Sequence, residues 1–415
     1  MADQENEDAS TVLATLRIES NEDLIPFFYT FEDYYERKLW HQLTKSVDEF
    51  FHNELSKPIR VRLFHQFILK FYQNINQLKF VQFALTASSE IESNEEKLFF
   101  LQNIKDKLEA NLPEDYHNYN KNKKIAFNLN DCFNKIDDKI DAFIFLQIEI
   151  SRIQLFLNEL EKSREILDKM ALEIDLLSSI NNVINASFYS TNAQYYKLKN
   201  DYNDFYKNSL LYLACLDSDL LNELSEVDKQ LIAYDLSIAA LLGDKIYNFG
   251  ELLLHDILNS LKNDKYSWLR DFLFILNSGD LNKFESVLSS IFEKSPLLLQ
   301  NEFFLKQKIC LMALIELIFQ KPNGQRVLTF NEISKTTRLP INDVEHLVMR
   351  ALSLNLLKGF IDQVNNTITV TWVQPRIMNI DQVESMRDKL DSWSNNVENL
   401  AGFMRDNGNE IWTFV

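Results

Sequence analysis

At 415 residues and a formal charge of −18, the chain is longer than one hydrophobic core usually organises, and its field repels nucleic acid and anionic membrane. Seven glycines and seven prolines leave little material for barrels or phosphate loops, while Leu, Ile, Lys, Glu, Asn and Phe abound, which favours long helices with short polar joints. Cys132, Cys215 and Cys310 are odd in number and far apart, and they suit small core residues in a reducing compartment better than a disulfide framework.

Met1 to Ser10 is acidic and polar, lacks the basic and apolar regions of a secretory signal, and reads as a disordered lead-in. Residues 11–320 read as a helical-repeat solenoid, because from Phe27 to Phe319 apolar residues recur at helical spacing between short polar breaks. Phe64, Phe67, Ile68, Phe71, Ile75 and Leu78 line one face of a helix that Pro58 can open. Leu146, Ile150, Ile153, Leu157 and Leu160 line another, and Ile166, Met170, Ile174 and Leu177 continue after a polar joint at Glu161 to Ser163. Helix pairs that each expose an apolar face must stack to bury it, and no fixed repeat length is visible, so the array is degenerate. The Asn- and Lys-rich stretch Tyr116 to Asn130 reads as a loop, with weaker breaks at Asp217 to Ser225 and Lys262 to Lys265. The strongest apolar run, Ile309 to Phe319, contains Glu316 and falls short of the about 20 residues a membrane span needs, so a helix buried on all sides is expected.

After Lys321-Pro322-Asn323-Gly324 the character changes, and residues 321–378 read as a winged helix. Thr329 followed by Glu332 is a capping box for a short helix, and Pro340 precedes a second, Ile341 to Leu354, with Val344, Leu347, Val348, Ala351 and Leu352 facing inward. Ile368, Val370 and Trp372 then alternate with Thr367, Thr369 and Thr371, and Asn365-Asn366 can supply the positive φ angles of a two-residue hairpin turn after Phe360 to Val364. No other β structure is expected.

Residues 379–407 hold the sharpest pattern. Asp381 and Glu384 can cap a helix on which Val383, Met386, Leu390, Trp393, Val397, Leu400 and Met404 fall at strict alternating spacings of three and four, a heptad seam. Leaving such side chains in water forfeits about 1.5 to 3 kcal/mol each, so the seam calls for a helical partner. Asn407-Gly408 ends the helix, and 408–415 form an apolar tail with Ile411, Trp412 and Phe414.

Groups that could converge on catalysis are missing from the spacing. His41, His52, His65, His117, His255 and His346 include no metal-binding pair, no C-x-x-C exists, and Gly402 with Gly408 are the closest glycines, so nucleotide loops are excluded. No catalytic, metal or cofactor residue is therefore assigned. His255 beside Asp256 reads as a satisfied histidine, and Tyr195, Tyr196, Tyr202, Phe205, Tyr206 and Tyr212 read as packing. Between Pro322 and Met378 six basic residues face four acidic ones, and the helix that would enter a DNA groove carries Asp343 and Glu345 against Arg350 alone, which argues against phosphate contacts.

Several stretches resemble one family: Ser187–Tyr196 (SFYSTNAQYY), Tyr234–Glu251 (YDLSIAALLGDKIYNFGE), Val344–Arg350 (VEHLVMR), Lys358–Val364 (KGFIDQV) and Thr371–Arg376 (TWVQPR) look like the PCI-domain lid subunits of the 26S proteasome regulatory particle. The likeness covers about Leu13 to Leu400. It implies a mainly α fold, a right-handed helical-repeat solenoid followed by a winged-helix (PCI) module and a long C-terminal helix. It further implies a non-catalytic scaffold in cytoplasm and nucleus, contacting other PCI subunits, a metalloprotease deubiquitinase pair and a ubiquitin receptor, without nucleic acid or membrane. On that reading the seam joins a helix bundle in a hetero-oligomer, and Phe360, Ile361, Thr367, Thr369 and Thr371 meet a neighbouring PCI module. Three alternatives stay open: a nucleic-acid-binding winged-helix protein using Lys335, Arg338 and Lys358, a PCI scaffold of the signalosome or a translation initiation factor, and a free helical-repeat adaptor. The seam can also fold back on the chain's own solenoid.

Overall fold

The computed structural model describes residues 9–112, 138–177, 181–216, 225–262, 266–321, 326–375 and 380–407, and it divides into two compact units, Met1–Glu223 and Leu224–Val415. The loop expected at Tyr116 to Asn130, the tail with Ile411, Trp412 and Phe414, and most of the breaks at Asp217 to Ser225 and Lys262 to Lys265 lie outside the described residues.

The described residues of the first unit form helices. Pro26 sits in the opening turn of Ile25–Glu36, where its missing N–H is not needed, and this helix packs on Trp40–His52. Phe50 from the second helix meets Phe28 and Phe31 from the first at 5.6 and 5.7 Å in edge-on geometry, and Phe67 stacks on Phe31 at 6.2 Å. Such ring pairs add about 0.5–1.5 kcal/mol each beyond area burial. Asp138–Phe156 is the central rod, packed against Gln77–Ser89, Asn94–Glu109, Leu160–Leu176 and Asn182–Lys199. Its run from Ala142 to Leu146 is buried without a break, which explains why it shows no clean polar face.

Three local expectations need correction. Ala9 and Ser10 already belong to the helix Ala9–Glu19, whose Val12, Leu13 and Leu16 are buried, and Met1 to Asp8 lie outside the described residues. Pro58 does open Lys57–Leu63, but the face from Phe64 to Leu78 is not one helix. The backbone widens into a π turn over Phe64–Ile68 and tightens at Tyr72–Asn74, and Asn76 starts a new helix by accepting from the Leu78 and Lys79 N–H groups at 2.9 and 3.2 Å. The joint placed at Glu161 to Ser163 is in fact Leu157 to Glu159: Asn158 takes φ 60°, the left-handed stop that Asn tolerates, and Leu160–Leu176 runs through the polar triplet. Ser163 is buried there and donates to the Ser151 carbonyl at 3.2 Å, so polarity did not mark a break.

In the second unit Ser225 caps Glu226–Leu242 by accepting from the Asp228 N–H at 3.2 Å. Ser267–Ser278 ends at Gly279, whose φ of 66° and whose 2.9 Å gap from a built Cβ to Ala313 Cα both require glycine. Glu302–Gln320 organises the unit. It packs on Glu226–Leu242, Ser267–Ser278 and Leu281–Lys294, and it also contacts the winged-helix elements Phe330–Thr337 and Ile341–Ser353. Ile309, Leu311, Met312, Leu314, Ile315 and Ile318 are buried because both sets of neighbours need covering, as the apolar run led one to expect.

The winged helix holds three strands, β1 Val327–Thr329, β2 Leu357–Asp362 and β3 Thr367–Val373, in the order β1-β3-β2 with antiparallel pairing throughout. β1 was not anticipated; at three residues it is too short to show alternation. The chain is thus a mainly α protein, helical repeats followed by a winged-helix module and a long helix, Ile380–Asn407.

Candidate docking surfaces

Thr329 positions the first surface. Its hydroxyl accepts from the Glu332 N–H at 3.3 Å to start Phe330–Thr337, while its own backbone ends β1 opposite Thr367. The Glu332 carboxylate accepts from Lys321 Nζ at 2.7 Å, and this contact holds its pKa below the ordinary carboxylate value. Across the sheet, Val327 pairs with Thr369 and Thr369 with Phe360, giving one exposed cross-strand row. Ile361 pairs instead with buried Ile368 and lies half-buried on the opposite face, so it does not share a surface with Phe360. Thr367 is half-buried and Thr371 exposed.

Two features of the hairpin differ from expectation. Its loop spans Gln363 to Asn366, and only Asn366 takes a positive φ, 50°. The Asp362 carboxylate organises that loop by accepting from the Val364 and Asn365 N–H groups at 3.1 and 3.2 Å and from the Asn365 amide at 2.7 Å, interactions that lower its pKa. The alternation also breaks: Gly359 pairs with Val370 but Lys358 with Trp372, leaving Thr371 as the extra residue of a bulge. Val373 therefore points inward and Trp372 outward, where Lys358 Nζ lies 5.1 Å from the indole centroid. The bulge exists because Gly359 has no Cβ; one built there would collide with the Thr369 carbonyl.

Three basic groups of this module are already engaged. Arg338 donates to Glu285 at 2.7 Å and to Asn282, Lys321 pairs with Glu332, and Lys358 covers Trp372. Glu345, on the helix that would enter a groove, accepts from Gln363 of the wing at 3.2 Å. Phosphate binding would have to break these contacts, so the nucleic-acid reading is not favoured. His255 Nδ1 accepts from the Ile257 N–H at 3.2 Å and so organises the start of the 3-10 turn Asp256–Lys262. Among the described residues no group of His, Cys, Asp and Glu could hold a metal ion, and no helix is long and apolar enough to cross a membrane.

The second surface is the long helix. Asp381 falls inside its first turn instead of capping it. Val383, Met386, Leu390, Trp393, Val397, Leu400 and Met404 are all exposed, Val397 least at 44% and Trp393 most at 66%. Phe403 is exposed beside Met404 and widens the seam at its far end. The reading in which the seam folds back on its own chain does not describe this arrangement. Sequence spacing found the seam; it missed Phe403, Val327 and the outward Trp372, of which the first two continue an apolar run and the third depends on the bulge.

Comparison with known proteins follows the same division. A model of PSD13 N-terminal repeats matches residues 27–273, a PCI domain model matches 288–372, and a model of the Rpn9 C-terminal helix matches 376–408. The chain is 45% identical to the 26S proteasome regulatory subunit RPN9 of Saccharomyces cerevisiae over 98% of its own length and 99% of that protein. It is 40% identical to the probable 26S proteasome regulatory subunit rpn9 of Schizosaccharomyces pombe, with 94% of each covered. Against 26S proteasome non-ATPase regulatory subunit 13 homolog B of Arabidopsis thaliana it is 34% identical over 90% of this chain and 92% of the other.

Proposed function

Starting from a chain that belongs to the RPN9 family of 26S proteasome regulatory subunits, we propose that its work is geometric: it is a non-catalytic scaffold that joins neighbours in the regulatory-particle lid. The observation that carries this reading is the long helix, on which seven apolar seam residues stand in water. Their burial against other helices would be worth about 1.5 to 3 kcal/mol for each fully covered side chain, an output of binding energy and not of chemistry. The outer face of the wing, with Val327, Phe360, Thr369 and Thr371 exposed, serves as the second contact, toward a neighbouring PCI module. Its partners are other PCI subunits of the lid, the metalloprotease deubiquitinase pair and a ubiquitin receptor, and its setting is cytoplasm and nucleus. In that role it supports lid assembly and ubiquitin-dependent degradation.

The test is Leu390→Asp with Trp393→Asp in the full chain, expressed in cells, with the size of the complex read by native gel and gradient sedimentation. Loss of the chain from the large particle supports the reading. Unimpaired assembly sinks it.

A further inference from the structure

Heptad positions on Ile380–Asn407 separate its charges. Val383, Leu390, Val397 and Met404 hold one core position, and Met386, Trp393 and Leu400 hold the other. Glu384, Asp388, Asp391, Glu398 and Asp406 all fall on positions turned away from that seam. The positions that border it carry Arg387 and Lys389 in the first half, then Ser394, Asn396, Ala401 and Phe403. Arg387 donates from Nε and Nη2 to the Asp388 carboxylate at 3.1 and 2.8 Å, yet its side chain stays 63% exposed. Within a chain of charge −18, this apolar face is therefore bordered by cations and by no carboxylate.

With the bundle reading above as its basis, we propose that the seam takes an amphipathic helix of a different chain, one whose own apolar stripe is bordered by Asp or Glu at the level of Arg387 and Lys389. Border positions of packed helices set partner choice through opposite charges. A second copy of this chain does not satisfy the requirement, because its border residues hold no carboxylate whichever way it runs. Beyond Trp393 the borders are uncharged and end in Ala401 and Phe403, so charge selects the partner in the first half and apolar contact widens in the second.

The experiment uses the full chain and two synthetic helical peptides sharing one Leu/Ile core of three heptads, bordered throughout by Glu in one probe and by Lys in the other. Like charges keep each probe from pairing with itself. Binding is read by fluorescence anisotropy. The Glu-bordered probe is expected to bind about tenfold more tightly at low salt, with the gap closing at high salt. Arg387→Glu with Lys389→Glu should invert the preference. Equal binding of both probes, lost together in Leu390→Asp with Trp393→Asp, overturns the charge inference and leaves the bundle reading standing. Binding of neither probe by the unaltered chain overturns both, and so does self-association through the seam that the charge reversal leaves intact.

Discussion

Lys308 donates from Nζ to the Gly243 carbonyl oxygen at 2.8 Å, and the same ammonium reaches the Ala240 and Leu241 carbonyls at 2.7 and 3.2 Å. One side chain thus satisfies the end of Glu226–Leu242, where carbonyls lack partners within the helix and carry the negative end of its dipole. Tyr247, Phe249 and Phe304 enclose it with ring centroids 5.4, 5.2 and 5.6 Å from Nζ. The link joins two helices far apart in sequence, inside the unit that carries the wing and the long exposed helix.

Lys308→Met keeps the stem and removes the donors. Withdrawing the buried amine from three carbonyl acceptors should destabilise the full chain by about 3 kcal/mol, read as a lower urea midpoint at pH 9. An unchanged midpoint contradicts this role.

Burial pulls the Lys308 pKa from 10.5 down to about 7, against the opposing Asp244 carboxylate. Between these values the unfolded chain binds more protons than the folded one, so this group's contribution to stability rises with pH across the window and is lost as pH falls toward 7. The gradient is up to about 1.4 kcal/mol per pH unit. The stability gap between the unaltered chain and Lys308→Met should therefore widen from pH 7 to pH 9. A constant gap rules the titration out.

In the first unit Arg60 is almost fully buried and donates to Ser56 Oγ at 2.9 Å, the Asn53 carbonyl at 2.9 Å and Glu90 Oε1 at 2.8 Å. Removing its head leaves these acceptors without their cation, so Arg60→Ala should cost about 3 kcal/mol in chemical denaturation. Glu90→Gln, at the more exposed end of the pair, should cost about 1 kcal/mol.

Gly359→Ala drives a methyl group into the Thr369 carbonyl and toward Val370 Cα, 3.1 Å from the built Cβ. A cost of about 1 to 3 kcal/mol is expected, with faster amide hydrogen exchange in β2 and β3 and no change in Met1–Glu223. Equal protection in both proteins would show that the bulge tolerates a side chain.

Leu390→Asp with Trp393→Asp should leave the melting temperature of the isolated chain within about 1 °C, because both residues are exposed and surface changes fall within about 0.5 kcal/mol. Leu314→Ala, at a site 1% exposed, should cost about 2 to 5 kcal/mol in the same assay. Similar losses in both would mean that the seam is covered by its own chain.

Local and periodic information was legible before any coordinates. Helical spacing marked the repeats, the Thr329 cap and Pro340 marked the two helices of the winged module, and the strict heptads from Val383 to Met404 marked the long exposed helix, because each depends on neighbours within a few residues. Features set by neighbours far along the chain were not legible. Polar Ser163 looked like a joint until Ser151 supplied its acceptor, and Trp372 continued the alternation of Ile368 and Val370 until Gly359 let the backbone of β3 approach and shift the register. Nothing around Lys308 in sequence announces that it ends Glu226–Leu242. The sequence by itself determined where apolar faces form, since side-chain periodicity is local chemistry. Tertiary structure alone decided which of them stay in water and which polar groups are buried and satisfied, because burial is a property of packed elements and not of any one segment.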